Sequence, residues 1–165
     1  MNDSDDARLV VRPIGWVRSS RGMATDDYWG GTVANIELDA SQYPATSLAG
    51  LTDFSHVQII YLFHKVGLAS IVTAAEHPRE NPAWPKVGIF AQRKKSRPNR
   101  LGLSTCRLLS VDGLTIQVAE LDALDGTPVI DIKPYVLEFE PRREDVRQPK
   151  WIGELMADYF AKQDK

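Results

Sequence analysis

Two runs of alternating side chains, Leu103 to Val111 and Leu114 to Leu121, stand on either side of Asp112-Gly113. An Asp-Gly pair between such runs is a strong hairpin signal, because both residues accept the left-handed backbone of a tight reversal. The same period of two recurs along most of the chain and points to strands. From Thr32 to Asp39, Ala34, Ile36 and Leu38 share one face and Asn35 and Glu37 the other. Leu9 to Arg18 reads as a first strand interrupted by Pro13 and Gly15, which predicts an edge or a bulge. The most apolar run, His56 to Val66, is rich in β-branched and aromatic residues and predicts a central strand with both faces largely covered. Val87 to Gln92 and Val129 to Ile132 add two short strands.

Between these runs, Ala40 to Gly50 has room for one short helical turn, and Pro78, Pro82 and Pro85 predict a loop without regular structure. After Pro149, Trp151, Ile152, Leu155, Met156, Tyr159 and Phe160 recur at spacings of three and four, which predicts a long helix with one apolar face. The expected fold is therefore mainly all-β. It is a small antiparallel β-barrel of six or seven strands with short helical turns and a C-terminal helix packed outside. The length of 165 residues suits one domain. It divides into a flexible N-terminal tail at 1–7, the barrel at 8–140 and a helical tail at 141–165.

The charge balance of -2 argues at first against nucleic acid. Its distribution reverses that inference. Between 86 and 107 lie Lys86, Arg93, Lys94, Lys95, Arg97, Arg100 and Arg107 without one acid, so the rest of the chain is strongly acidic. A concentrated cationic segment attracts a polyanion locally while the remainder keeps the protein soluble. No apolar run reaches the roughly 20 residues of a membrane span. The acidic N-terminus has no secretory core, and the single Cys106 forms no internal disulfide, so a cytoplasmic location is expected.

Several chemistries lack their motifs. Neither GxGxxG nor GxxxxGK[ST] occurs, which removes the two common nucleotide cradles. His56, His64 and His77 stand apart from any carboxylate or cysteine at metal-ligand spacing, so no metal is expected. There is no GxSxG elbow.

Two constellations remain. RKKSRPNR, residues 93 to 100, carries five cations in eight residues. It reads either as a solvated loop or as a phosphate grip, with Pro98 stiffening the loop and Asn99 tolerating a left-handed backbone. In LDALDGTPVIDIKPY, residues 121 to 135, Asp122 and Asp125 end a strand, where carboxylates suit the hydroxyls of a diol such as ribose. Asp125-Gly126 is equally a plain turn. Asp131 and Lys133 alternate with Ile130 and Ile132, so they share a sheet face and can pair or line a site. His64 ends the apolar strand, as a boundary residue or an acid-base group. Trp84, between prolines, can stack on a base or cap the barrel.

Together, DFSHVQIIYLFH (53 to 64), VGIFAQRKKSRPNRLGLS (87 to 104) and LDALDGTPVIDIKPY (121 to 135) resemble the TsaA/TrmO-like, or YaeB-like, family. The resemblance implies an antiparallel β-barrel that binds S-adenosylmethionine, usually as a homodimer. It also implies SAM-dependent methylation of tRNA at N6 of the threonylcarbamoyl-adenosine at position 37. Carried over by position, His64, Arg93, Leu103, Leu121 and Asp122 are the expected cofactor contacts. Lys94, Lys95, Arg97, Asn99 and Arg100 are the expected RNA contacts. Asp131 or Asp125 is the candidate base for the N6 proton, with Lys133 and Tyr135 as orienting groups. The family usually reads SPFRPNPIGLS where this chain has KKSRPNRLGLS, so Arg100 replaces a proline. The family's early Pro-Arg-Gln has no clear counterpart between Arg21 and Gly31. Another acceptor for the same cofactor, or SAM binding without turnover, are the competing readings.

Overall fold

Alternation along each strand turns one set of side chains inward, and the barrel closes around that set. The computed structural model describes residues 9–162. Its strands are β1 (Gly15–Ser19), β2 (Val33–Leu38), β3 (His56–Leu62), β4 (Ala75–Glu76), β5 (Val87–Gly88), β6 (Leu101–Asp112), β7 (Thr115–Ala119) and β8 (Pro128–Pro134). One helix, α1 (Lys150–Leu155), and several short 3-10 turns complete the described chain. The expected flexible tail at 1–7 lies outside the described residues.

Six strands close an antiparallel barrel in the order β1-β2-β7-β6-β3-β8, and β4 and β5 form a separate ribbon. Val17, Ile36, Val57, Ile59, Tyr61, Ile116, Val118 and Val129 fill the interior. Each such side chain removed from water contributes about 1.5–3 kcal/mol, so the inward set is what drives closure. Gly15 brings β1 against β2, because a Cβ there would overlap the Glu37 carbonyl.

Several expectations are corrected. The first strand begins at Gly15 rather than Leu9, since Pro13 has no N–H to donate and the β2 partners end at Leu38. β3 is central, between β6 and β8, but buries only alternate residues, so one face is enclosed rather than both. In the hairpin, Asp112 pairs with Thr115, so Gly113 and Leu114 make the turn, with Gly113 at φ 57°. Val87 to Gln92 is a strand only at Val87–Gly88, because β4 offers two residues to pair with and Ile89–Ala91 then coils into a 3-10 turn. The Pro-rich segment likewise contains a 3-10 turn at Pro78–Glu80.

The long C-terminal helix is the largest correction. α1 ends at Leu155, shortly after Gly153, and the chain continues as a strap. Asp158 and Tyr159 carbonyls accept the Tyr28 and Trp29 N–H groups at 3.1 and 2.8 Å. Gly30 permits this, since a Cβ would overlap the Phe160 carbonyl. Backbone partners outside the helix replace those that a longer helix would have supplied.

Candidate functional site

The strand directions bring the C-terminal ends of β1, β3 and β7 and the N-terminal ends of β2, β6 and β8 to one end of the barrel. Asp122 follows β7 there and is the hub of a hydroxyl cluster. Its Oδ1 accepts the Tyr61 hydroxyl at 2.9 Å and the Ser104 hydroxyl, and its Oδ2 accepts the Tyr159 hydroxyl. Burial, and then the charge of Asp122, push the phenols of Tyr61 and Tyr159 well above their ordinary range, so both remain donors. Gly102 lies under the Tyr61 ring, where any Cβ would collide with it.

Arg93 donates to the Leu103 carbonyl, one residue before Ser104, and its charge acts on Tyr159 together with that of Arg79. Leu121, next to Asp122, is fully buried. His64 lies two residues beyond the end of β3, the strand of Tyr61, and pairs through Nδ1 with Thr127 Oγ1 at 3.3 Å. Burial and the neighbouring Lys65 lower the His64 pKa from its ordinary 6.5, so the ring is neutral at pH 7. Of the five expected cofactor contacts, Arg93, Leu103 and Asp122 are thus linked through Ser104, Leu121 adjoins Asp122 in the chain, and His64 lies just beyond the end of β3 that carries Tyr61.

Residues that the sequence reasoning did not assign complete this end. Tyr61 and Ser104 read only as strand residues, and Tyr159 only as part of an apolar face. Arg21 donates from Nη2 to Tyr28 O at 2.8 Å and stacks over Trp29 at 4.2 Å, while its Nη1 is buried without a partner among the described residues. Asp27 receives Arg79 at 2.6 and 2.8 Å, which ties the loop before β2 to the 3-10 turn after β4.

The catalytic candidates separate. Asp125 is at the site end, its Oδ1 accepting the Ser19 N–H at 3.0 Å and its N–H donating to Arg21 O at 2.8 Å. With Gly126 at φ 74°, the pair makes the turn that leads into β8. Asp131 lies midway along β8 opposite Ile60, paired with Lys133 at 2.7 Å. It opens into a groove of about 580 Å³ lined by Ile14, Leu38, Leu48, Leu51 and Phe54. Tyr135 donates its N–H to His56 O at 3.0 Å, at the far end of β3 from Tyr61. Five residues of strand span roughly 16 Å, so Tyr135 does not share the Asp122 cluster. β8 starts at the site and runs away from it, so Tyr135 is carried to the far end, whereas Asp131 stands in register with Leu103, both opposite Ile60.

Several cations of the basic segment have partners within the chain. Lys94 pairs with Glu76, Lys95 with Asp26 at 3.5 Å, and Arg97 donates to Gln92 O at 3.0 Å. Arg100, rather than Asn99, takes the left-handed backbone, at φ 51°, and its side chain reaches Val66 O at 2.8 Å. Asn99 is exposed. Trp84 donates to Glu154 at 2.9 Å, which joins the Pro-rich loop to α1.

Residues 25–140 match the family described as the tRNA-methyltransferase O N-terminal domain. The chain is 40% identical over 116 residues to the tRNA (adenine(37)-N6)-methyltransferase of Homo sapiens, covering 70% of this chain and 24% of that enzyme. It is 37% identical over 132 residues to a "Probable S-adenosyl-L-methionine-binding protein" of Methanothermobacter thermautotrophicus, covering 79% of this chain and 92% of that protein. A crystal structure of TrmO from P. aeruginosa superposes with a TM-score of 0.71 at 29% identity, covering 90% of this chain and 64% of the other. The chain spans about a quarter of the length of the mammalian enzymes it matches.

Proposed function

Because the chain belongs to the family of the tRNA-methyltransferase O N-terminal domain, we propose that it is a SAM-dependent methyltransferase acting on tRNA. The acceptor is N6 of the threonylcarbamoyl-adenosine at position 37. The observation that carries the reading is the convergence of His64, Arg93, Leu103, Leu121 and Asp122 on one barrel end. The chemistry of that end fits the cofactor. Asp122 suits a ribose diol, the unpartnered Arg21 Nη1 suits a carboxylate, and a neutral His64 adds no charge beside a sulfonium.

SAM supplies a methyl group already activated on sulfur, so the protein's task is alignment. The acceptor nitrogen is conjugated to a carbonyl and loses a proton, which a carboxylate can take. Asp125 suits this better than Asp131, since it stands at the cofactor end and its Oδ2 takes no hydrogen bond from the described residues, whereas Asp131 is held by Lys133. The roles of Lys133 and Tyr135 as orienting groups, and of the basic segment as an RNA grip, belong to the same proposal. Arg93, Lys95 and Asn99, with Lys86 and Arg107 to either side in the sequence, are exposed groups of that segment. Lys94, Lys95, Arg97 and Arg100 would then shape the loop as well as charge it.

The test is mass spectrometry of tRNA nucleosides after incubation with the protein and SAM, beside Asp125→Asn and Asp131→Asn. Appearance of the N6-methyl mark, lost in Asp125→Asn with SAM binding retained, supports the reading. An unchanged nucleoside profile despite SAM binding favours a second one, another acceptor or SAM binding without turnover. That second reading draws on two relatives of which the chain covers 74% and 92%, whose names stop at SAM binding. A cytoplasmic homodimer completes the proposal. Exposed Leu137 and Phe139 offer an apolar contact for the dimer, and light scattering measures the mass. No helix among the described residues is long and apolar enough to cross a membrane.

A further inference from the structure

A carboxylate offers about four lone-pair positions. At Asp122, Tyr61 and Ser104 occupy Oδ1 and Tyr159 takes one position on Oδ2. One position is left, enough for a single hydroxyl and too few for the two of a vicinal diol. Tyr61 and Ser104 sit on neighbouring barrel strands, β3 and β6, lie 3.2 Å apart at their hydroxyls, and have their backbones fixed in the sheet, with Gly102 fitted to the Tyr61 ring. Tyr159 differs. It is carried by a strap after a helix of six residues, tied by two backbone hydrogen bonds to Tyr28 and Trp29 and by Trp84 to Glu154. Segments with so few anchors open at low cost compared with barrel strands.

We infer that Tyr159 is a place-holder on Asp122 which a vicinal diol displaces, so that the strap at 156–161 sets both the affinity and the hydroxyl requirement of the cofactor site. The inference rests on the reading that SAM binds at Asp122. A ligand without the diol gains nothing that offsets the lost Tyr159 hydrogen bond, because it leaves a half-buried carboxylate oxygen unpaired. Arg79 and Arg93 are the cations whose charges act on Tyr159.

Two measurements decide it. By calorimetry, Tyr159→Phe, which keeps the ring and removes the donor, is expected to bind SAM on the order of tenfold more tightly than the unaltered protein. In the unaltered protein, saturating SAM is expected to speed hydrogen exchange at the Tyr28 and Trp29 amides, as their strap acceptors leave. SAM affinity unchanged in Tyr159→Phe, or weakened, overturns the inference while leaving the cofactor reading intact, and so do amides that exchange no faster. Absence of SAM binding in both proteins removes the cofactor reading, and this inference with it.

Discussion

The Tyr61 hydroxyl, on the central strand β3, donates at 2.9 Å to Oδ1 of Asp122, which stands just beyond β7 on the other side of β6. A core aromatic thereby reaches through the barrel end to a carboxylate. The Tyr61 ring is 1% exposed, so its hydroxyl has no water to fall back on. Tyr61→Phe is expected to lower stability by about 1–2 kcal/mol, the scale of a lost hydrogen bond to a charged group discounted for the partial exposure of Asp122. Urea unfolding measures it, and an unchanged midpoint would detach Tyr61 from the cluster.

The same ring makes Gly102 indispensable. An added Cβ would run into Tyr61, and overpacking of this kind costs about 1–3 kcal/mol. Gly102→Ala is therefore destabilising, and combining it with Tyr61→Leu should cost less than the two single changes together. A double-mutant cycle tests the coupling, and strict additivity would show that the two residues do not compete for one space.

Arg100 is the position where this chain parts from the usual proline. At φ 51° it lies outside the range that proline adopts, near -65°, and its N–H donates to Arg97 O at 2.9 Å. Arg100→Pro should therefore lower stability by about 2–3 kcal/mol rather than restore a favoured residue. Thermal unfolding reads this directly. Arg100→Ala, which removes only the side-chain bond to Val66 O, is expected to fall between the two proteins.

Cys106 is fully buried in the barrel, and burial, with the charges of Asp122 and Glu120, pushes its thiol up to about 12. The thiolate is the reactive form, so Cys106 should resist alkylation by iodoacetamide at pH 8 in the folded protein and react once denatured. Rapid labelling without denaturant would contradict this burial.

His64 gives a pH dependence. Its folded pKa is depressed, so the folded state favours the neutral ring more than the unfolded chain does. The stability this contributes is complete above the ordinary value of 6.5 and is lost as pH falls below it. Melting temperatures at pH 7.5 and 5 should fall further apart in the unaltered protein than in His64→Gln, and equal differences would remove His64 from the acid response.

The expected cofactor contacts came from the resemblance carried by three stretches of sequence, and of them only His64 and Asp122 also stood out by their place at the ends of alternating runs. The partners of Asp122 were not legible, because Tyr61, Ser104 and Tyr159 lie 61, 18 and 37 residues from it in sequence. A hydroxyl inside an apolar run looks like core until the acceptor opposite is known. For the cations from Arg93 to Arg100 the internal partners were equally out of view. Their charge was plain, but Glu76, Asp26 and several carbonyls that take up their donors come from distant or folded-back segments.

The amino-acid sequence alone determined the strand-rich barrel, since alternation and the Asp112-Gly113 reversal act over a few residues and need no distant partner. It also determined where carboxylates and cations fall along the chain. Tertiary structure decided which of them meet. β8 carries Tyr135 away from the site while the strap returns Tyr159 to it. In that strap the Asp158 and Tyr159 carbonyls accept the Tyr28 and Trp29 N–H groups in place of helical partners. Helical periodicity reports only a local preference of tenths of a kcal/mol per residue, and long-range hydrogen bonds overrule it.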